Sequence, residues 1–382
     1  MKSQIHMKRR LFHTVIVALL LLSPTAVWGE VFAVDGIYYY LSDGHAVVTS
    51  DGQTGCYSGD VVIPETVTYE GATYPVTEIG PSAFYNCSNL TQVALPKSVT
   101  SIGPWAFTGC RQLTHVTVPD AVTVIDENVF KGCTGLTGIT LGKQVTTIRN
   151  DAFTDCSALA SMTIPESVTS IGDYAFYNCT GIKTLYFNAV NCNDPMWFSA
   201  FEDCPLDTIA FGNHVQRIPA SLAFGQTRLE SIIIPKSVTS IGNFAFWGCS
   251  RLTDVICLAI TPPAFPGAGF FDETDYYSHA VLHVLPESVL DYQLADYWKD
   301  FSQVRGDVVL YTPFDVNGDG EINIADANRV VVIIINGGGS SGHTRVPDPD
   351  GDGWFFLGDA NGDGEINIAD INAIINRILD GV

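Results

Sequence analysis

A chain of 382 residues is longer than one compact core usually organises, so two or three domains are expected. Its 19 Lys+Arg against 41 Asp+Glu give a formal net charge of −22, which argues against nucleic acid and anionic membrane as partners, because both demand basic patches. A hydrophobic fraction of 46% excludes a disordered chain, and 35 Gly with 19 Pro but no collagen period point to many turns.

Residues 1–29 read as a targeting segment. Lys8, Arg9 and Arg10 precede the apolar stretch Leu11 to Leu22, and Val27-Trp28-Gly29 supplies small residues at the −3 and −1 positions before Glu30. A run of that length is short for a bilayer span, so the reading is a cleaved secretory signal and an exported mature chain with no membrane insertion. Cleavage removes four basic residues and no acid, leaving a net charge of −26.

Past residue 80 the chain repeats. Phe84, Phe107, Phe130, Phe153 and Phe176 are each 23 residues apart, and Phe201, Phe224 and Phe246 continue the series at separations of 25, 23 and 22. In the unit from Leu90 to Cys110 the alternation Val93/Leu95 marks a short strand ended by Pro96. A second extended piece carries Val99 and Ile102, and Ala106-Phe107-x-x-Cys110 has the spacing of a helical turn. One such unit cannot bury its own apolar face, whereas stacked copies share a continuous core, which makes the array a solenoid.

Ten cysteines in an exported chain ordinarily imply five disulfides. Here Cys87, Cys110, Cys133, Cys156, Cys179, Cys204 and Cys249 each follow a Phe by three residues. A residue recurring at one register position fills the same small buried slot in each coil, so the expectation is a ladder of buried thiols, with pairing between adjacent coils left open.

The unit "LPKSVTSIGPWAFTGCRQLTHV" resembles the leucine-rich repeat of BspA-like bacterial surface proteins. "VDGIYYYLSDGHAVVTSDGQTGCYSGDVVIPETVTYEGATYPVTEIG" is similar to that family's N-terminal cap, and "CLAITPPAFPG" with "LHVLPESVLDYQLADYWKDF" to its closing cap. The resemblance covers residues 31–304 and implies an adhesive or ligand-binding role without catalysis. It divides the chain into an N-terminal cap at 30–79, repeats at 80–265, a C-terminal cap at 266–304 and a linker at 305–312. The unit around "NAVNCNDPMWFSAFEDC" departs from the pattern by two extra residues and reads as a bend or a local binding feature.

Two surfaces of the array are candidates for ligand. The outward strand positions Gln92/Ala94, His115/Thr117, Gly138/Thr140, Ser161/Thr163, Thr184/Tyr186, Thr208/Ala210 and Ser231/Ile233 form a small, neutral, hydroxyl-rich face lacking the agents of proton transfer. The second is aromatic: Trp105, Tyr174 with Tyr177, and Phe244 with Trp247 flank the anchoring Phe positions, and members of a pair three apart share one face of the turn. Such rings stack on sugars or partner proteins, or simply shield the flank.

Catalytic motifs are missing. The mature-chain histidines His45, His115, His214, His279, His283 and His343 are scattered, and no nucleophile elbow, phosphate loop or zinc pattern occurs. His279 and His283 lie four apart without a Glu in zincin register and read as structural. Arg305-Gly306-Asp307 spells an integrin-recognition tripeptide of a kind that arises readily by chance.

The C-terminal segment carries the most specific chemistry. Asp315, Asn317, Asp319, Asn323 and Asp326 occupy positions 1, 3, 5, 9 and 12 of a loop, with the carbonyl of Glu321 at position 7 and Gly320 at the sharp turn. Asp359, Asn361, Asp363, Glu365, Asn367 and Asp370 repeat the pattern around Gly364. Hard oxygen donors on a flexible loop select Ca²⁺, so two ions are expected. Position 12 is Asp rather than Glu, and no amphipathic helix precedes the first loop.

"DVNGDGEINIADANRVVVIII" and "DANGDGEINIADINAIINRIL" resemble the paired loop–helix halves of type I dockerins over residues 313–382. The resemblance implies a small α-helical module, folded by Ca²⁺, that docks onto a cohesin-type domain. The residues expected to meet that partner are Ile324, Ala325, Ile368 and Ala369 at matching positions of the halves. To these the asymmetry between the two helices adds Val332 and Ile333, in a β-branched run too apolar for a solvated face. The joining segment "NGGGSSGHTRVPDPDGDGWFFLG" reads as an acidic linker and not a third ion site.

The expected fold is therefore a β-rich (α+β) solenoid of leucine-rich repeats followed by a dockerin-like module with two calcium loops. The expected function is non-catalytic adhesion or ligand binding on a cohesin-bearing scaffold or cell surface. The alternative is an accessory carbohydrate-binding subunit of a polysaccharide-degrading complex.

Overall fold

The computed structural model describes residues 30–50, 56–265, 280–308, 345–347 and 354–356. The targeting segment, part of the closing cap (266–279), both expected calcium loops and the six residues expected to face a partner lie outside the described residues.

The N-terminal cap is an antiparallel meander of Phe32–Val34, Ile37–Ser42 and His45–Thr49 that continues in parallel onto Ala72–Ile79. From there the chain winds into coils, each contributing two short strands to two parallel ladders. One ladder runs through Ser161–Ile164, Thr184–Phe187 and Thr208–Phe211 and resumes through Ser231–Ile234, Asp254–Cys257, Val281–His283 and Gln303–Arg305. The other carries the x-Ile pieces, such as Val124–Ile125, Thr147–Ile148 and Ser170–Ile171. A short helix, Val289–Leu294, closes the described array with Tyr292 and Trp298 buried beneath it.

The anchoring rings form a column. Phe84, Phe107, Phe130, Phe153, Phe176 and Phe201 are fully buried and stack successively at centroid distances of 4.9, 5.4, 5.3, 4.9 and 4.7 Å. Beside it runs a column of thiols. Cys110, Cys133, Cys156, Cys179 and Cys204 each donate to the carbonyl of the preceding coil's Phe at 3.0–3.1 Å. The ladder begins one coil later than the spacing suggests, because Cys87 is disulfide-bonded to Cys56 of the cap.

Two register expectations are corrected. Phe224 is not the anchor of its coil. Ala223 takes that place, fully buried, and Phe224 turns outward at 36% exposure. Gln226 consequently fills the thiol slot, donating to the Phe201 carbonyl at 3.0 Å and accepting the Leu206 N–H at 3.1 Å. The separations are thus 25, 22 and 23, so the two-residue insertion is followed by a one-residue deletion.

The Ala-Phe-x-x-Cys segment, read as a helical turn, does not propagate as helix. Cys110 N–H bonds back to Phe107, but Phe107 N–H bonds across to Val129 of the next coil. The cause is a left-handed residue on either side of the anchor. Two residues before it stand Ser82, Trp105, Asn128, Asp151, Tyr174, Ser221 and Phe244, all at φ between 54° and 58°. Two residues after it stand Asn86, Gly109, Gly132, Asp155, Asn178, Asp203, Gly225 and Gly248, also at positive φ.

Near the C-terminus, Arg345–Pro347 pairs antiparallel with Trp354–Phe356.

Candidate ligand-binding surfaces

Strand alternation points Val116, Met162, Leu185, Ile209 and Ile232 into the core and their neighbours outward. The outward residues include exposed Gln92, Ala94, His115, Thr117, Ser161 and Thr163, giving the hydroxyl-rich face that the sequence predicts, with Tyr186 as its one large exposed ring. Near the first coils this face holds an open groove of about 930 Å³ lined by Asp60, Gln92, Lys97, His115, Thr117 and Asp120. The His115 ring has space because residue 138 is Gly: a Cβ there would lie 2.9 Å from Nδ1. Thr91 donates to Asp60 at 2.6 Å, and Thr117 Oγ1 lies 3.4 Å from His115 Nε2. These groups offer hydrogen-bond donors and acceptors to a ligand in the groove.

His283 sits between two carboxylates, Nδ1 2.8 Å from Asp307 and Nε2 3.1 Å from Asp254. It ties together the last three strands of the ladder, and the nearby Thr253 hydroxyl donates to Asp254 rather than to the ring. His279 lies outside the described residues. Asp307 of the Arg-Gly-Asp tripeptide is engaged by the same contact, and Arg305 lies within the closing strand.

The turn flank gathers the aromatic candidates and adds rings that the sequence reading missed. Tyr174 packs edge-on to Tyr177 at 5.3 Å and stacks on Phe198 at 4.6 Å. Phe198 comes from the irregular coil, along with Met196 and Trp197, which are 79% and 76% exposed. What fixes this protruding segment is Asp173, a buried carboxylate accepting the N–H groups of Trp197 at 2.9 Å and Phe198 at 3.0 Å. A second patch forms where Phe224 stacks on Trp247 at 4.6 Å, with exposed Phe244 on the same coil as Trp247. Trp105 stands apart, three coils before Tyr174.

The recurring left-handed position could have revealed the true register. Gly225 and Gly248 mark the residue two beyond the anchor, which assigns Ala223 to the slot and frees Phe224. The same geometry makes Trp105, Tyr174 and Phe244 costly, since a left-handed bulky residue loses roughly 1–2 kcal/mol. Ser, Asn and Asp take that position in other coils.

The thiols are unsuited to chemistry. Burial pushes Cys110, Cys192 and Cys249 up to about 12 and Cys257 up to about 11, against an ordinary value of 9.0, so the nucleophilic thiolate is suppressed. Among the described residues no group of three or more His, Cys, Asp or Glu is arranged to hold a metal ion. Among them, too, no helix is long and apolar enough to cross a membrane.

Comparison with known proteins bears on the array. Residues 76–194 and 196–261 match the BspA type Leucine rich repeat region in six copies. Solved structures similar to the chain include a leucine-rich repeat protein from Bacteroides ovatus, 25% identical over 67% of this chain and 77% of that one, with a TM-score of 0.42. Another, from Bacteroides capillosus, is 28% identical over 41% of this chain and 98% of its own, with a TM-score of 0.28. A leucine rich cell surface protein from Faecalibacterium prausnitzii is 20% identical over 67% of this chain and 99% of its own, with a TM-score of 0.24. No curated protein matches. The described array is a solenoid of leucine-rich repeats with a period of about 23 residues.

Proposed function

We propose that this is an exported, non-catalytic recognition protein, with a ligand-binding repeat array and a C-terminal module that tethers it through Ca²⁺ to a cohesin-type domain. The observation that carries the reading is the division of labour within each coil. Phe and Cys are spent on a dry interior, while the outward strand positions and the turn flank vary freely in chemistry on a fixed frame. That is the architecture of a binding scaffold.

The tether rests on the donor chemistry of residues 313–382. Asp315, Asn317, Asp319, Glu321, Asn323 and Asp326 supply only oxygen, as do Asp359, Asn361, Asp363, Glu365, Asn367 and Asp370, which suits Ca²⁺. The bound ions would hold each loop closed against its own negative charge. Ile324, Ala325, Val332, Ile333, Ile368 and Ala369 are the proposed partner-facing residues. The aromatic flank favours a second reading of the whole, a carbohydrate-binding subunit of a polysaccharide-degrading complex.

Calorimetry of the full chain in Ca²⁺ and in EGTA tests the tether. The account expects one Ca²⁺-sensitive transition from the C-terminal module and an array transition that chelator leaves unmoved. Identical traces in both buffers would contradict it.

A further inference from the structure

Among the described residues the two most exposed large apolar side chains are consecutive, Met196 at 79% and Trp197 at 76%, on the irregular coil. Their backbone is clamped at both ends. Upstream, Arg217 donates to the Cys192 carbonyl and to the Asp194 carboxylate, each at 2.7 Å, and Asp194 also accepts the Ala220 N–H at 2.6 Å. Downstream, Asp173 accepts the Trp197 and Phe198 N–H groups, and Phe198 stacks on Tyr174. The two side chains are thus held in water by a fixed frame. Such a preorganised apolar knob loses little conformational freedom when it binds.

The third most exposed large apolar side chain, Val62 at 72%, lines the groove of about 930 Å³ on the strand face. Beside it Ala94 is exposed and Leu95 half-buried. That volume is at the upper end of the roughly 300–1,000 Å³ that ligand pockets span, so an indole and a thioether fit together. Lys97 lines the groove and Lys143 flanks it, and neither has an ion pair among the described residues. The groove's own acids are already engaged, Asp60 by the Thr91 hydroxyl at 2.6 Å and Asp120 by the Lys143 N–H at 3.0 Å.

We propose that the knob of one molecule seats in the strand-face groove of a second copy, giving head-to-tail self-assembly. The inference goes beyond the recognition reading and needs nothing from the C-terminal tether. Each surface supplies what the other lacks. A convex apolar tip meets a concave, partly apolar floor, and Glu202 and Asp203 behind the tip meet Lys97 and Lys143 at the rim. The groove is built on Gly59–Val62, Leu90–Ala94 and His115–Thr117, whereas the knob follows Thr184–Phe187 and lies on the turn flank. A rigid stack of coils keeps the two apart within one chain, so the groove is reached only by the knob of another molecule.

Because the two surfaces are unlike, the contact is heterologous, and successive copies form a ring or an open filament. A knob-to-knob dimer would instead bring Glu202 and Asp203 of both copies together, which like-charge repulsion opposes. A buried Trp contributes about 150–250 Å². With Met196 and the matching groove walls the contact stays below the ~1,200 Å² of a stable interface. The association is therefore weak and reversible, and it strengthens where molecules are crowded on one surface.

The test is sedimentation velocity of the full chain from about 5 to about 500 µM, a range that brackets the affinity expected of so small a contact. The sedimentation coefficient should rise with concentration. Trp197→Ala on the knob and the double variant Val62→Glu/Lys97→Glu in the groove should each weaken association roughly tenfold or more, with melting unchanged. Tyr186→Ala, on the strand face away from the groove, should have no effect. An equal mixture of the knob and groove variants should associate again and stop at pairs, since only one intact knob and one intact groove remain to meet. A monomer at every concentration overturns the proposal, as does association that survives Trp197→Ala. Association that the groove variant leaves intact, or a mixture that stays monomeric, overturns the groove as the socket and the proposal with it.

Discussion

The carboxylate of Asp173 accepts the backbone N–H of Trp197 at 2.9 Å, so a buried acid in one coil sets the position of the most exposed tryptophan on the flank of the next. The same oxygen also accepts Phe198 N–H at 3.0 Å, which brings that ring onto Tyr174. Asp173→Ala leaves two N–H groups without their acceptor and should cost about 2–4 kcal/mol. Asp173→Asn keeps an acceptor oxygen and should cost about half as much. Denaturant titration gives the energies, and hydrogen exchange at 196–198 should rise in the Ala variant alone.

The register of the seventh coil gives a sharp contrast. Phe153→Ala opens the centre of the ring column and should cost about 3–5 kcal/mol, whereas Phe224→Ala removes an outward ring and should cost under about 1 kcal/mol. Gln226→Ala strands the Leu206 N–H and the Phe201 carbonyl, for a loss of about 2–3 kcal/mol. Chemical unfolding of the three variants checks the ordering. A Phe224→Ala loss equal to that of Phe153→Ala would restore Phe224 to the core.

These residues also show how far the sequence alone carries. The 23-residue period, the strand alternation and the inward Phe and Cys are plain, because every coil solves the same packing problem with the same residues. Phe224 is misleading because Ala223 and Phe224 are adjacent, and the aromatic lies nearer the expected spacing. Only the left-handed glycine two beyond the anchor settles which of them points inward. Trp197 and Phe198 were legible as an irregularity but not as part of the flank. Their placement depends on a bond to Asp173 of another coil, and local pattern carries no trace of such a contact. The Cys56–Cys87 bond is hidden for the same reason, since Cys87 sits in the thiol register.

Reduction of Cys56–Cys87 should loosen the cap. The bond closes a separation of 31 residues, for which chain entropy predicts about 3.5 kcal/mol. Cys56→Ala with Cys87→Ala should lower the stability of the full chain by about that amount and speed hydrogen exchange in strands 37–49. The five-coil thiol column from Cys110 to Cys204 should keep its protection.

Alkaline pH should weaken the array. Burial holds the thiols of Cys110, Cys192 and Cys249 at about 12, while in the unfolded chain they ionise near 9.0. Raised folded values mean that stability is full below pH 9 and is lost as pH climbs from 9 toward 12. Urea midpoints at pH 8, 10 and 11 should fall in that order, and Cys249→Ala should flatten the slope. At pH 8 the buried thiols should resist dithionitrobenzoate until the array unfolds.

The central claim joins a recognition array to a calcium-dependent tether, and one measurement addresses the joint directly. Full-length chain is passed over an immobilised type I cohesin domain in Ca²⁺ and in EGTA, beside the double variant Asp315→Ala/Asp359→Ala. The account predicts capture by the wild-type chain in Ca²⁺ alone, release by EGTA, and no capture of the double variant. Capture that survives both chelator and the loss of Asp315 and Asp359, or no capture in any buffer, would contradict it.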